Sequence, residues 1–261
     1  MSGAGAVAGL VLLEWSAGWI AAAAWTQSWS VVRRGHFRII AWGVIALTAI
    51  VIAFFRSNDA AAVDAIRASV IAFGVTTLLY LLVQYSRTDL PGVVIGAVAA
   101  LTGIVALTIA AGEIGGWPQA LAAIELLAGA ALLGAVTNGM LLGHWYLNQP
   151  GLKPWALARL TQLAIAATVA TGVLGLVGAG RLVNASTEGA VLGLPGFGES
   201  FGAVFFAAWV LLLGFTGAVV WMAKRCINIR SIQSATGLYY VALLTAGVSE
   251  FVVRYLMVNA T

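Results

Sequence analysis

The sequence predicts an all-α integral membrane protein that crosses the bilayer eight times, as two four-helix units. Three observations support this fold class: the composition, a series of long apolar runs, and a sequence pattern that occurs twice. Hydrophobic residues make up 62% of the 261 residues and charged residues 8%, and the mean hydropathy is +1.01. A soluble domain carries about 25% charged residues. Most of the chain is therefore expected to lie in a lipid bilayer.

Eight apolar runs are each long enough to cross about 30 Å of hydrocarbon as a helix. They are too long and too continuous for the strands of a membrane barrel. The first run lacks a basic segment before it and carries Glu14 at its middle, so we expect a span rather than a signal peptide. The runs cover residues 4–25, 37–55, 62–84, 91–111, 118–142, 155–180, 201–222 and 234–257.

Basic residues are concentrated in alternate connections, which predicts the orientation of the chain. The positive-inside rule assigns these connections to the cytoplasm, so both termini are expected outside, in the periplasm of a prokaryote whose inner membrane holds the protein. This placement also explains the net charge of +4 better than nucleic-acid binding does. The first, third, fifth and seventh connections hold Arg33, Arg34, Arg38, Arg87, Lys153, Arg159, Lys224, Arg225 and Arg230, with Asp89 as their only acid.

A sequence pattern around two glutamates predicts an internal repeat. Glu14 begins E-x-x-A-G-x7-T-Q-S, and 111 residues later Glu125 begins E-x-x-A-G-x7-T-N-G. The predicted units are residues 1–115 and 116–261. Because each holds an even number of spans, the two would share one orientation. Weaker matches join residues 98–102 to 241–245 and residues 73–76 to 213–216.

The longest predicted connection covers residues 181–200 on the outer side. Connections longer than about 12–15 residues are usually functional or disordered. An apolar patch at 191–195 suits a lid or the docking of other subunits on the outer face, and an ordinary surface loop explains it equally well.

Ionisable residues inside the spans are the candidates for chemistry, because a charge in hydrocarbon is retained mainly where it has a task. Glu14 and Glu125 are the candidate catalytic residues. A quinol loses two protons when it is oxidised, and a buried carboxylate is able to accept one. We expect a quinone site in the outer half, with Trp15 and Trp19 beside Glu14 and with Glu250 and Arg254 on one helix face.

A structural role explains the same residues without chemistry. Glu14 and Glu125 would then be hydrogen-bonded across the bundle. Glu250–Arg254 and Asp64–Arg67 would be ion pairs near the membrane interface, close enough to water to cost little.

Histidine and cysteine are too few for most cofactor sites. A haem held by two histidines needs both at membrane depth, but His36 and His144 lie near inner span ends, and His36 is expected in solvent. Cys226 is the only cysteine, and no His, Cys, Asp or Glu cluster has the spacing of metal ligands. We expect no haem or metal to be held by this chain alone.

The overall plan resembles the NrfD/PsrC and DmsC type of membrane anchor. The features shared are eight helices, a four-plus-four repeat, outside termini and no cofactor ligands. The resemblance implies a subunit that holds a periplasmic redox enzyme and exchanges electrons with ubiquinone or menaquinone. Haem A synthase has a similar four-plus-four plan, but its paired haem-binding histidines have no counterpart here.

Three functional hypotheses follow. The first is a non-haem, quinone-interacting anchor subunit of a redox complex with an electron-transfer partner on the periplasmic side. The second is a proton-coupled transporter with the glutamates as protonation sites. Such carriers usually contain broken helices, whereas all five prolines here fall at span ends or in loops. The third is a structural or assembly subunit.

Overall fold

All regular structure in the described ranges, residues 4–56, 61–185 and 197–259 of a computed structural model, is α-helical. Eight of these helices are long and apolar enough to cross a membrane, which confirms the predicted number of spans. The helices are α1 (Ala4–Gln27), α2 (Arg34–Arg56), α3 (Ala61–Val83), α4 (Leu90–Gly112), α5 (Gln119–Asn148), α6 (Trp155–Val177), α7 (Ala179–Val183), α8 (Phe197–Asn228) and α9 (Ile232–Asn259).

Two spans are longer than the apolar runs predicted. Helix α5 has 30 residues and α8 has 32, whereas the runs were placed at 118–142 and 201–222. Both helices continue past the apolar run toward a connection rich in basic residues, through Gly143 and His144 in α5 and through Lys224 in α8. Gly143 lowers the helix propensity of this stretch but does not end α5. Hydropathy marks the bilayer boundary rather than the end of the hydrogen-bonded helix.

The predicted connection 181–200 is partly helical. Helix α7 occupies Ala179–Val183, and α8 already begins at Phe197. The apolar patch at 191–195 lies outside the described residues.

Helices α1 and α5 form the centre of the bundle. In each of them 72% of the most apolar stretch is buried inside the protein, against half or less in the other spans. They cross in direct backbone contact, because a Cβ at Gly18 would overlap the carbonyl of Ala130, and a Cβ at Gly134 would overlap the backbone of Gly18. Small residues allow this approach between helices in a membrane. Helices α4 and α9 each pack against both members of this pair.

Contacts between neighbouring helices also arrange the eight spans as two rings of four. One ring runs α1–α2–α3–α4 and returns to α1, and the other runs α5–α6–α8–α9 and returns to α5. The same hydrogen bond joins the last two helices of each ring: Thr76 to Thr102 at 2.8 Å, and Thr216 to Thr245 at 2.7 Å.

Short connections between consecutive spans place alternate connections on the same side of the bundle. We call the side of residues 28–33, 84–89, 149–154 and 229–231 the basic side, and the opposite side the terminal side. On the basic side Gln149 joins two connections: its amide donates to the Val31 carbonyl at 2.7 Å, and its Oε1 accepts from the Arg33 N–H at 2.9 Å. Arg34 and Asp89 form an ion pair there at 2.8 Å.

Candidate functional site

Four ionisable side chains from three helices meet in the half of the bundle nearer the terminal side. Glu14 comes from the central helix α1, Glu125 from its partner α5, and Glu250 and Arg254 from one face of α9. Arg254 Nε donates to Glu14 Oε1 at 2.8 Å, and its Nη2 donates to Glu250 Oε2 at 2.8 Å. Its Nη1 lies 3.6 Å from Glu125 Oε2. We call these four residues the Arg254 cluster.

The Arg254 cluster is closed to solvent. The exposed fraction is 0% for Glu14 and Glu250, 1% for Arg254 and 3% for Glu125. The predicted ion pair between Glu250 and Arg254 is therefore confirmed, but the expectation that the pair lies close to water is wrong. The i, i+4 spacing on α9 was read correctly, but that face of α9 packs against α1 and α5 rather than facing the headgroups. The Asp64–Arg67 pair does lie at the surface, with a contact of 2.9 Å.

Gly129 lies at the centre of the Arg254 cluster. A Cβ on this residue would overlap Glu250 Oε2, would lie 2.6 Å from Arg254 Nη2, and would lie 2.9 Å from Glu14 Oε1. A glycine at this point of α5 is therefore what allows side chains from α1 and α9 to meet across it. The glycine follows Glu125 by four residues, so the predicted E-x-x-A-G pattern supplies one acid and the space for the other two.

The Arg254 cluster has three acids and one base. Arg254 is fully engaged, since its Nη2 also donates to the Glu125 carbonyl at 2.9 Å and its Nη1 to the Met257 sulfur at 2.9 Å. One oxygen of each carboxyl group, by contrast, has no hydrogen-bond partner in the structure: Glu14 Oε2, Glu125 Oε1 and Glu250 Oε1. A net buried charge in a low-dielectric interior is costly. One carboxylate balances Arg254, and the other two acids would leave a net negative charge in the interior unless they are protonated.

Glu125 has the weakest link to Arg254. Its side-chain contact is 3.6 Å, against 2.8 Å for each of the other two acids. Its free oxygen points toward α6, because it would lie 3.0 Å from a Cβ on Gly178. Thr171 and Trp209 border the gap beside it and leave Thr171 Oγ1 and Trp209 Nε1 without partners. The gap does not admit a water molecule.

An apolar groove begins one helical turn from the Arg254 cluster. It has a volume of about 430 Å³ and lies between α1, α4, α5 and α6 on the lipid-facing surface of the bundle. Its lining includes Ala17, Gly18, Ala21, Leu107, Leu127 and Ala131. Ala17 and Gly18 follow Glu14 by three and four residues, which is one turn of helix. We call it the apolar groove.

The two tryptophans predicted to pack on a quinone contact neighbouring helices instead of the apolar groove. Trp15 Nε1 donates to Thr137 Oγ1 of α5 at 2.8 Å. The Trp19 indole covers Gly43 of α2, where a Cβ would lie 2.7 Å from its Cζ3. Neither residue lines the apolar groove.

Sequence reasoning missed a second polar network, located between the Arg254 cluster and the basic side. Asn138 Nδ2 donates to Thr26 Oγ1 at 2.8 Å, and Asn138 Oδ1 lies 3.0 Å from His36 Nε2. His36 is 1% exposed, so the expectation that it lies in solvent is wrong. The arginines beside it suggested a loop, but His36 is the third residue of α2 and faces α5.

A separate buried polar group surrounds Gln27, the residue after Thr26. Its amide donates to Gln84 Oε1 at 2.9 Å, and its Oε1 accepts from the Tyr80 hydroxyl at 2.8 Å. All three side chains are buried. The signal available in the sequence was the T-Q and T-N pair at the end of the duplicated pattern, since Thr26, Gln27 and Asn138 all take part in these hydrogen bonds.

Metal-binding chemistry finds no support among the described residues, in which no three His, Cys, Asp or Glu side chains are placed to hold an ion. Comparisons with protein-family models, with curated proteins and with solved structures gave no match. The geometry therefore carries the functional argument.

Proposed function

We propose that the protein is a multi-span membrane subunit that binds a quinol or quinone from the bilayer and handles its protons at the Arg254 cluster. The observation that carries this proposal is the convergence of Glu14, Glu125 and Glu250 on a single buried guanidinium. Three acids and one base leave two proton-holding positions. Oxidation of a quinol releases two protons and two electrons, and each of the two positions would receive one of these protons after passing its own proton toward the terminal side.

The apolar groove supports a lipid-soluble ligand. It is open to the lipid-facing surface, its lining is almost entirely aliphatic, and it ends one turn from Glu14. A ring bound at the end nearest Glu14 would have a carboxyl group close enough to receive a proton once the α1 and α5 side chains adjust. The two electrons would leave to an iron–sulfur or haem centre on a partner subunit, as in a membrane anchor of a redox complex.

An internal repeat places the Arg254 cluster at the boundary between two units, residues 1–115 and 116–261. The two helix rings and the matching Thr76–Thr102 and Thr216–Thr245 hydrogen bonds support this repeat. Aligning α4 with α9 on these threonines, 143 residues apart, pairs Leu107 with Glu250 and Ala111 with Arg254. Only the second unit then has charged residues in its last helix, and both repeated glutamates contact one of them, Arg254.

The distribution of basic residues supports an orientation with both termini outside the cytoplasm. In that orientation the Arg254 cluster lies in the outer half of the membrane. Protons released from it would reach the periplasmic side of a prokaryotic inner membrane, where a periplasmic electron-transfer partner would dock.

Quinone binding and the two carboxyl positions are testable together. We expect a photoreactive quinone analogue in proteoliposomes to label peptides of α1 or α5, and excess ubiquinone or menaquinone to compete with it. Infrared spectra of the purified protein should contain a carboxylic-acid C=O band that falls in Glu125→Gln. The matched control, Asp64→Asn, removes a surface carboxyl group and should leave both measurements unchanged. Absence of both the label and the band would overturn the proposal.

A proton-coupled transporter is the second candidate. It is favoured by one observation: the cluster joins helices α1, α5 and α9 of both proposed units and is closed to solvent, as an occluded state requires. In liposomes with an imposed pH gradient, solute uptake that disappears in Glu14→Gln but not in Asp64→Asn would support this candidate over a quinone-linked role.

A further inference from the structure

A second site lies on the basic side, remote from the Arg254 cluster. A cleft of about 570 Å³ opens between the start of α6 and the end of α8. Lys153 and Arg230 line it from the two connections, and Trp155, Ala158 and Ile227 form an apolar wall. We call it the cationic cleft. It is lined by two basic side chains and by no acidic one.

The positive charges of the cationic cleft are not neutralised within the described part of the chain. Both Lys153 and Arg230 are exposed, and neither takes part in any of the ion pairs found there. Arg159 adds a third charge at the rim, where its guanidinium carbon lies 4.7 Å from the Trp155 ring centre. Helix α6, of 23 residues, begins at Trp155, and its N-terminal N–H groups favour an anion.

The equivalent place in the first helix ring is closed by an ion pair. There Arg34, at the start of α2, contacts Asp89, just before α4, at 2.8 Å. In the second ring Pro154 lies 120 residues after Arg34, and Ile232 lies 143 residues after Asp89. Neither replacement is charged. The cleft therefore has no counterpart of Asp89, and its own basic residues, Lys153 and Arg230, have no acid beside them.

The backbone of Arg230 has a defined conformation at the end of α8. Its φ angle is +60°, in the left-handed region that non-glycine residues rarely adopt. Helices commonly end with a residue in this conformation, and here the Ser231 N–H closes the end of α8 by donating to the Cys226 carbonyl at 2.9 Å. The conformation is fixed by the Arg230 N–H, which donates to the Ile227 carbonyl at 2.9 Å.

We propose that the cationic cleft binds the phosphate of an anionic phospholipid from the leaflet on the basic side. Lys153 and Arg230 would contact the phosphate oxygens, and Trp155 and Ala158 would contact the glycerol and the first acyl carbons. The apolar wall favours a lipid over a free phosphate, because a small soluble anion gains nothing from Trp155 and Ile227. Basic pockets between transmembrane helices on the cytoplasmic side bind such headgroups.

Native mass spectrometry of the detergent-solubilised protein tests the proposal. Phosphatidylglycerol and phosphatidylcholine with identical acyl chains are offered in equal amounts. We expect the wild-type protein to retain phosphatidylglycerol with about thirtyfold preference, since Lys153 and Arg230 each contribute about 1 kcal/mol. The Lys153→Gln, Arg230→Gln double variant should lose most of that preference. Ala158→Trp, which fills the cleft without changing charge, should lower retention as well.

Arg33→Gln is the matched control, because Arg33 is an exposed basic residue of the first basic-side connection, 120 residues before Lys153. It should keep the full preference, and unfolding midpoints in detergent should agree among all variants. No preference in the wild-type protein, or an equal loss in Arg33→Gln, would overturn the proposal. Displacement of phosphatidylglycerol by millimolar inorganic phosphate would also overturn it, because the ligand would then be a soluble phosphate compound.

Discussion

Arg254 is the residue on which the buried acids depend most directly. Replacing it by methionine would leave Glu14, Glu125 and Glu250 in the bundle centre without a cation. Removing one partner of a buried ion pair costs about 3–5 kcal/mol. We expect Arg254→Met to lower the unfolding free energy by that amount in a reversible denaturation assay in detergent.

Arg67→Met is a suitable comparison for Arg254→Met. Arg67 pairs with Asp64 at the surface, and exposed pairs contribute about 0–1 kcal/mol. Equal losses of stability in the two variants would contradict the account of the Arg254 cluster.

Gly129 gives a second prediction at the scale of the residue. Gly129→Ala would insert a methyl group among Glu250, Arg254 and Glu14, and overpacking of this kind costs about 1–3 kcal/mol. Gly214→Ala on α8 is the control, since no atom lies within 4 Å of the Cβ it would add. It should be neutral or slightly stabilising, because alanine favours helix over glycine. Thermal unfolding in detergent distinguishes the two variants.

The sequence identified the members of the cluster but not their contacts. Glu14 and Glu125 were found through the repeated pattern, and Glu250 and Arg254 through their i, i+4 spacing. Glu14 and Arg254 are 240 residues apart, and no local rule connects residues at that distance. His36 was misplaced for a related reason: its neighbours Arg33, Arg34 and Arg38 set the local composition, while one face of the first turn of α2 is buried against α5.

At the scale of the helix, the apolar groove exists because α1 and α5 present small residues between the larger side chains of α4 and α6. Ala131→Phe would place a ring in the groove without disturbing the backbone contact at Gly18. We expect it to abolish labelling by a quinone analogue and to leave the unfolding temperature unchanged.

Leu211→Phe on α8 provides the comparison for Ala131→Phe. Leu211 is 74% exposed on the outside of the bundle and lines none of the cavities near α1 and α5. It should leave labelling intact. Labelling that survives in Ala131→Phe would show that the quinone analogue binds outside the apolar groove.

The helices were the most predictable part of the molecule, because a bilayer requires long, internally hydrogen-bonded apolar segments. Their ends were less predictable, as α5 and α8 show. The contacts between helices depend on glycines that meet residues far away in sequence, such as Gly18 against Ala130 and Gly129 against Glu250. Glycine occurs 31 times, so its presence alone did not distinguish these positions.

At the scale of the whole molecule, orientation is the property still to be measured. Cys226 is the only cysteine, so a Cys226→Ser background allows single cysteines to be introduced at chosen connections. Thr88 lies on the basic side and Gly115 on the terminal side. In intact cells we expect a membrane-impermeant thiol reagent to label Gly115→Cys and to label Thr88→Cys only after lysis. The reverse pattern would contradict the positive-inside assignment.

Because Glu250 and Arg254 lie on α9, the order of synthesis matters for the cell. The ribosome delivers Glu14 and Glu125 to the membrane long before the helix that carries their cation. Until α9 inserts, the nascent bundle holds two acids without a counter-ion, which destabilises it. We expect a chain ending at residue 231 to be degraded faster in pulse-chase experiments than the full-length chain, and Glu14→Gln, Glu125→Gln to slow that degradation.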